Sequence, residues 1–230
     1  MPRRSRHAPG GFVYHVLNRA VARHTLFQND GDYQAFERVF AEALAKHPMR
    51  VLAYCVMPNH WHFVLWPERD GDLTVFLSWL TLTHTMRWHA HHQTSGSGHL
   101  YQGRFKSFPI ETDDHLYTVL RYVEQNPLRA QLVARAEQWR WSSLYLRASG
   151  DARATNLLHA WPLPMPRKWT ALVNAAQTEA ELARVRQSVK RGSPYGTLSW
   201  QQQTARVMGL EATLRPLGRP RKDKLLAAQD

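Results

Sequence analysis

Between residues 12 and 126 the apolar positions fall into seven runs whose periods differ. Residues 12–18 (Phe-Val-Tyr-His-Val-Leu-Asn) are rich in β-branched and aromatic types, follow Gly10-Gly11 and predict a strand. From Asp30 to Lys46 the spacing of Tyr33, Phe36, Val39, Phe40 and Leu44 predicts an amphipathic helix, with Asp30 or Asp32 near its start and Pro48 past its end. Residues 50–57 and 60–66 are two further strand-like runs, and the Met57-Pro58-Asn59 connection is short enough to make them a hairpin. Residues 73–92 form a second helix with an apolar side of Leu73, Phe76, Leu77, Leu80 and Leu82, and residues 94–98 break it. Residues 103–111 are a fourth strand, whose Pro109 demands an edge or a bend. Thr112-Asp113-Asp114 caps a third helix, and Pro127 stops it near Asn126, because the residue before proline avoids the α region. The first six elements make a βαββαβ split unit. That order predicts an α+β fold with a four-stranded antiparallel sheet and helices on one face. Beyond about residue 148 the pattern is helical and looser, and Pro162, Pro164 and Pro166 mark a linker.

Composition narrows the class. A 43% apolar fraction with nine Trp and eight Phe excludes a disordered chain. A lone Cys excludes an internal disulfide framework and a multi-cysteine zinc site, and suggests a reducing, cytosolic setting. The charged N-terminus is followed by no apolar stretch, so it is not a signal peptide, and no run approaches the roughly 20 apolar residues that cross a bilayer. No membrane partner is expected. Thirty Lys and Arg against 18 Asp and Glu leave a formal net charge of +12. Arg3, Arg4 and Arg6 carry three of these charges, and residues 215–224 a net four. Dense positive charge at both ends points to nucleic acid, although solvated basic ends give the same arithmetic.

Pro58-Asn59-His60-Trp61-His62 is the most informative run. In a strand His60 and His62 share a face while Trp61 turns away, so two imidazoles about 6–7 Å apart at Cα can converge on one divalent ion. Two histidines on a solvated sheet face is the plainer alternative. In the third helix Tyr122 and Asn126 are four apart and nearly aligned, so a phenol and a neutral oxygen ligand can meet the same ion. Tyr117 is a poorer partner because Arg121 stands at its corresponding place and cannot ligate a metal. Gln125, one residue off the line, is the alternative third ligand; Glu124 points the other way. A core tyrosine with a bonded hydroxyl would also fit position 122.

Longer motifs add a resemblance. They are Tyr14-His15-Val16-Leu17-Asn18-Arg19, Phe27-x-x-Asp30 with Asp32-Tyr33-x-x-Phe36, Met57-Pro58-Asn59-His60-Trp61-His62, residues 98–106, residues 122–130 and Trp141-Ser142-Ser143. Near the C-terminus come Arg191-Gly192-Ser193-Pro194-Tyr195-Gly196 and Thr213-Leu214-Arg215-Pro216-x-Gly218-Arg219-Pro220. In this order and spacing the chain resembles the single-tyrosine HUH transposases, and most of all their REP-associated tyrosine transposase branch. The resemblance implies a ferredoxin-like core in residues 1–148, a helical linker region over 149–190 and a basic DNA-binding extension over 191–230. It implies His60, His62 and Asn126 as ligands of Mg²⁺ or Mn²⁺ and Tyr122 as the nucleophile that nicks and joins single-stranded DNA through a 5′-phosphotyrosine. Other branches carry Gln where Asn126 stands. It further implies REP-like DNA hairpins as partners, a monomer more than a dimer, and a cytoplasmic, nucleoid-associated protein. A non-catalytic nucleic-acid-binding protein that retains the fold is the alternative, and a nuclease using water a third.

The surroundings suggest DNA contacts. Arg104 and Lys106 alternate on the fourth strand and share a face suited to phosphates, or to salt bridges. Trp61, Trp66, Trp79 and Trp88 suit base stacking or the core. The second helix ends in His84, Arg87, Trp88, His89, His91 and His92; with no carboxylate or Cys beside them, a solvated basic helix end outweighs a metal cluster. Residues 200–210 resemble the first part of a helix-turn-helix with Gly209 at the turn. Gly218-Arg219-Pro220-Arg221-Lys222 resembles an AT-hook core, or a disordered basic tail, and with Arg215 forms the terminal DNA-binding set.

Overall fold

The computed structural model describes residues 8–215 of the 230. Strands β1 (Val13–Arg19), β2 (Arg50–Met57), β3 (His60–Trp66) and β4 (Lys106–Ile110) form one sheet in the order β2-β3-β1-β4, every neighbouring pair antiparallel. β4 is therefore an edge strand, which is where Pro109 can sit without breaking a ladder. Pro58 and Asn59 alone connect β2 to β3, and the Pro58 carbonyl accepts from the backbone N–H groups of Leu26 and Phe27.

The period-two patterning of the strands sorts side chains into two cores. On one face lie α1 (Asp30–Lys46) and α2 (Asp72–His91), which bring Phe36, Phe40, Phe76 and Leu77 against Trp61 and Phe63. Asn29 caps α1 by accepting from Asp32 N–H, as its place before the apolar stripe requires. Trp61 is fully buried and donates to the Tyr101 hydroxyl at 3.0 Å, which in turn bonds His84 Nδ1 at 2.7 Å. Trp61 is thus a core residue rather than a stacking platform. Burying a side chain of that size contributes about 2–3 kcal/mol.

The opposite face is covered by α3 (Asp114–Glu124), capped by Asp113, whose carboxylate accepts from His115 N–H. Leu116, Val119, Leu120 and Val123 pack there on Ala53, Cys55, Val64 and Phe108. A short α4 (Asn126–Arg129) follows directly, so the chain turns at Gln125 and the Tyr122–Asn126 pair straddles that turn instead of lying in one helix. The remaining α-helices among the described residues are α5 (Ser143–Ser149), α6 (Arg153–Leu157), α7 (Trp169–Asn174), α8 (Glu179–Arg191), α9 (Leu198–Met208) and α10 (Glu211–Leu214). Trp169 and Val173 of α7 and Leu182 and Val185 of α8 join α3 in the second core. The proline-marked segment is pinned on both sides: Tyr117 donates to the Pro164 carbonyl at 2.6 Å and Trp161 to the Leu52 carbonyl at 2.8 Å. Gly209 takes the left-handed conformation (φ 64°) that closes α9, but the described helix after it is a single turn. That is too short for the second helix of a helix-turn-helix.

Candidate active site

β3 alternates as the H-x-H spacing demands. Trp61, Phe63 and Leu65 enter the first core, while Val64 enters the second, so His60 and His62 look toward α3. The two imidazoles lie 4.9 Å apart between ring centroids at 77°, and the Tyr122 ring stands edge-on to His62 at 6.0 Å. His60, His62, Tyr122 and Asn126 line one cleft of about 560 Å³. Gln125 does not. Its amide donates to the carbonyls of Val173 and Ala175, both at 2.8 Å, which turns it toward α7 and corrects its reading as an alternative third ligand.

Each site imidazole has one nitrogen engaged. His60 Nδ1 bonds Asn59 Oδ1 at 2.6 Å, and His62 Nδ1 bonds His15 Nε2 at 2.8 Å. Their Nε2 atoms have no hydrogen-bond partner among the described residues. Burial, helped by Arg19 and Arg129, pushes His60 down to about 3. His62 is held well below its ordinary value by burial first, then by His60 and His15. Both are therefore neutral at physiological pH, the form a metal requires. With the Asn126 oxygen this is an N,N,O donor set suited to Mn²⁺, and fit for Mg²⁺ with its other positions on water or phosphate.

The cleft walls are basic. Arg19 ends β1 opposite His60, Arg104 comes from the loop before β4, Lys106 opens β4, Arg129 ends α4 and Arg186 comes from α8. Among the described residues, no acidic one lines the cleft. Arg104 reaches it because residues 101 and 102 pair with the end of β1, Gln102 N–H donating to the Arg19 carbonyl at 2.9 Å. Arg129 does more than add charge. Its guanidinium lies over the Tyr122 ring at 4.4 Å and donates to the Tyr122 carbonyl and, at 2.6 Å, to Asn126 Oδ1. It thus fixes ring and amide together, leaving Asn126 a second lone pair for an ion. Arg215 does not line the cleft; its carbonyl accepts from Arg191. Arg219, Arg221 and Lys222 lie outside the described residues.

Sequence patterning misses His15, Arg19, Arg129 and Arg186. His15 shares a face with His62 only once the β1–β3 register (His15 opposite Val64, Leu17 opposite His62) is known. Arg129 carried a signal, being three residues from Asn126.

The comparisons with known proteins bear on the family and the fold. The model of the family described as "Transposase IS200 like" matches residues 10–126, which is 117 of 230 positions and more than half of the chain. The chain belongs to the IS200-like transposase family. Within it, a Haemophilus influenzae protein described as a REP-associated tyrosine transposase is 23% identical over 118 residues, spanning 48% of this transposase and 67% of that protein. A solved REP-associated tyrosine transposase, bound to a REP hairpin, superposes with a TM-score of 0.52 at 18% identity, covering 72% of this transposase and 92% of that chain. That likeness establishes the ferredoxin-like transposase fold. The matched segment contains β1, β3, β4 and α3, all of which contribute residues to the cleft described above.

Proposed function

We propose that this transposase nicks and rejoins single-stranded DNA at hairpins, with Tyr122 as the nucleophile and His60, His62 and Asn126 as the ligands of a divalent ion. The observation that carries the reading is the Tyr122 ring standing 6.0 Å from His62 inside a cleft that, among the described residues, is walled by five cations and no carboxylate. Such a wall fits a polyanion that passes through rather than a small neutral substrate. When bound, Mg²⁺ or Mn²⁺ would polarise the scissile phosphate and neutralise the charge that develops on it.

The chain's own residues supply the rest. Arg19, Arg104, Lys106 and Arg186 hold the phosphates on either side of the scissile one. Arg129 keeps the phenol in place for in-line attack, which matters because a 1 Å misplacement costs about 100-fold in rate. The Tyr122 Oη–phosphorus bond forms as the phosphorus–O3′ bond breaks; the phenolic proton leaves to solvent, and the departing oxygen takes one up to become a 3′-hydroxyl. The 5′-phosphotyrosine conserves the phosphodiester's energy, so a second 3′-hydroxyl reverses the step on another strand without a nucleotide cofactor. The reading takes a monomer as the working unit, supported by β3 and α3 of one chain meeting at the cleft. The hairpin held by the solved relative supports REP-like hairpins as the substrate class. The region over 191–230, with Arg219, Arg221 and Lys222, then serves as a DNA-binding extension of a cytoplasmic, nucleoid-associated enzyme.

The test is a 3′-labelled single-stranded hairpin incubated with Mn²⁺ and resolved under denaturing conditions. Wild type gives a protein–DNA adduct, and Tyr122→Phe gives none while still binding the hairpin. Cleavage surviving Tyr122→Phe would mean a water-using nuclease, and binding with no cleavage by wild type a protein that keeps only the fold.

A further inference from the structure

We propose that Asp32, His91 and His92 form a second metal site, for a Zn²⁺-class ion, which clamps the start of α1 to the end of α2. It lies on the α1/α2 face of the sheet, away from the cleft that holds Tyr122. Sequence spacing argues against a metal among the α2 histidines because no carboxylate stands beside them, but the fold brings one from α1. His92 Nε2 lies 3.2 Å from Asp32 Oδ1, and the ligand atoms of Asp32, His91 and His92 all lie within 4.8 Å of one another.

The donors are built for this. Asp32 is buried, and its Oδ2 accepts the Gln28 N–H at 2.8 Å, which orients the carboxylate and leaves Oδ1 toward His92. The His92 ring is stacked on Trp88 at 4.1 Å, and Trp88 is itself fixed by donating to the Leu26 carbonyl at 2.9 Å. Zinc bonds of about 2.0–2.2 Å set tetrahedral ligand separations of roughly 3.3–3.5 Å, so the Asp32–His92 edge is nearly formed. His91 is exposed at the helix end, and a side-chain rotation closes its remaining gap of roughly 1 Å. A cavity of about 370 Å³ lined by these three residues has room for the water that completes the shell. Arg87, which also lines it, is occupied by Glu42 at 2.7 Å through both of its terminal nitrogens. Two imidazoles and one carboxylate select zinc-like ions over Mg²⁺, which prefers oxygen. The ion would secure the root of the loop that carries Gln102 and Arg104 into the cleft.

The experiment removes the other ligands first. In the His60→Ala/His62→Ala protein, Zn²⁺ is titrated against a chromophoric chelator, and Co²⁺ binding is followed by its visible absorption. One equivalent is expected, with affinity falling at least tenfold in a further His91→Ala variant, whose exposed side chain is dispensable for folding, and unchanged by His115→Ala, which disables the Glu111-Asp113-His115 group. In otherwise wild-type protein, His91→Ala removes one bound equivalent. No stoichiometric Zn²⁺ in the double variant, or an affinity indifferent to His91→Ala, overturns the proposal.

Discussion

An imidazole removed from water must be neutral, and here that cost is tied to what the residue does. His15 is fully buried, its Nε2 bonds His62 Nδ1, and its own Nδ1 has no partner among the described residues. For His62 to offer a lone pair at Nε2, its Nδ1 must carry the proton and donate to His15. His15→Ala is therefore expected to weaken Mn²⁺ binding about tenfold by calorimetry, with His15→Gln recovering part of it because a side-chain carbonyl can accept the same bond. Equal losses in both variants would reduce His15 to a packing residue. Burial also pushes His15 and His84 down to about 3. In the unfolded chain each titrates at its ordinary value of 6.5. Between those limits the unfolded chain binds protons that the folded chain refuses, so stability falls as pH falls. Each of the two costs about 2 kcal/mol by pH 5. Urea midpoints at pH 7 and pH 5 measure it, and coincident midpoints would refute it.

At the scale of elements, α3 is held by its last residue. Glu124 is fully buried and accepts from Ser143 Oγ at 2.5 Å and from Arg147 Nη1 and Trp169 Nε1, both at 2.6 Å. Glu124→Ala strands a guanidinium and two further donors, and should lower unfolding free energy by about 3 kcal/mol or more in chemical denaturation; Glu124→Gln should cost less. The hairpin and α3 are legible in the sequence, since alternation over residues 60–66 and the apolar stripe of Leu116, Val119, Leu120 and Val123 are local properties. What anchors α3 is not. Ser143, Arg147 and Trp169 lie between 19 and 45 residues away, and nothing in a local period announces them. Gln125 shows the same limit from the other side, because its helical position says nothing about the two α7 carbonyls that hold it.

Across the whole molecule, the sheet separates two jobs. One face carries most of the aromatic packing, and the other carries the cleft, to which β3 and α3 of the same chain bring the proposed ligands and nucleophile. Mixing Tyr122→Phe protein with His60→Ala/His62→Ala protein should accordingly give no more DNA adduct than the two assayed apart; restored adduct would show that partners exchange helices. The face assignments follow from sequence, whereas the crowd of arginines does not, because Arg19, Arg129 and Arg186 converge from three remote elements. A cleft that worked without a partner chain would also have a consequence for inheritance. A cell holding one intact gene and one with a ruined tyrosine would make blanks that idle beside working molecules instead of poisoning them, so such a lesion would be recessive unless the blanks crowded the shared hairpins.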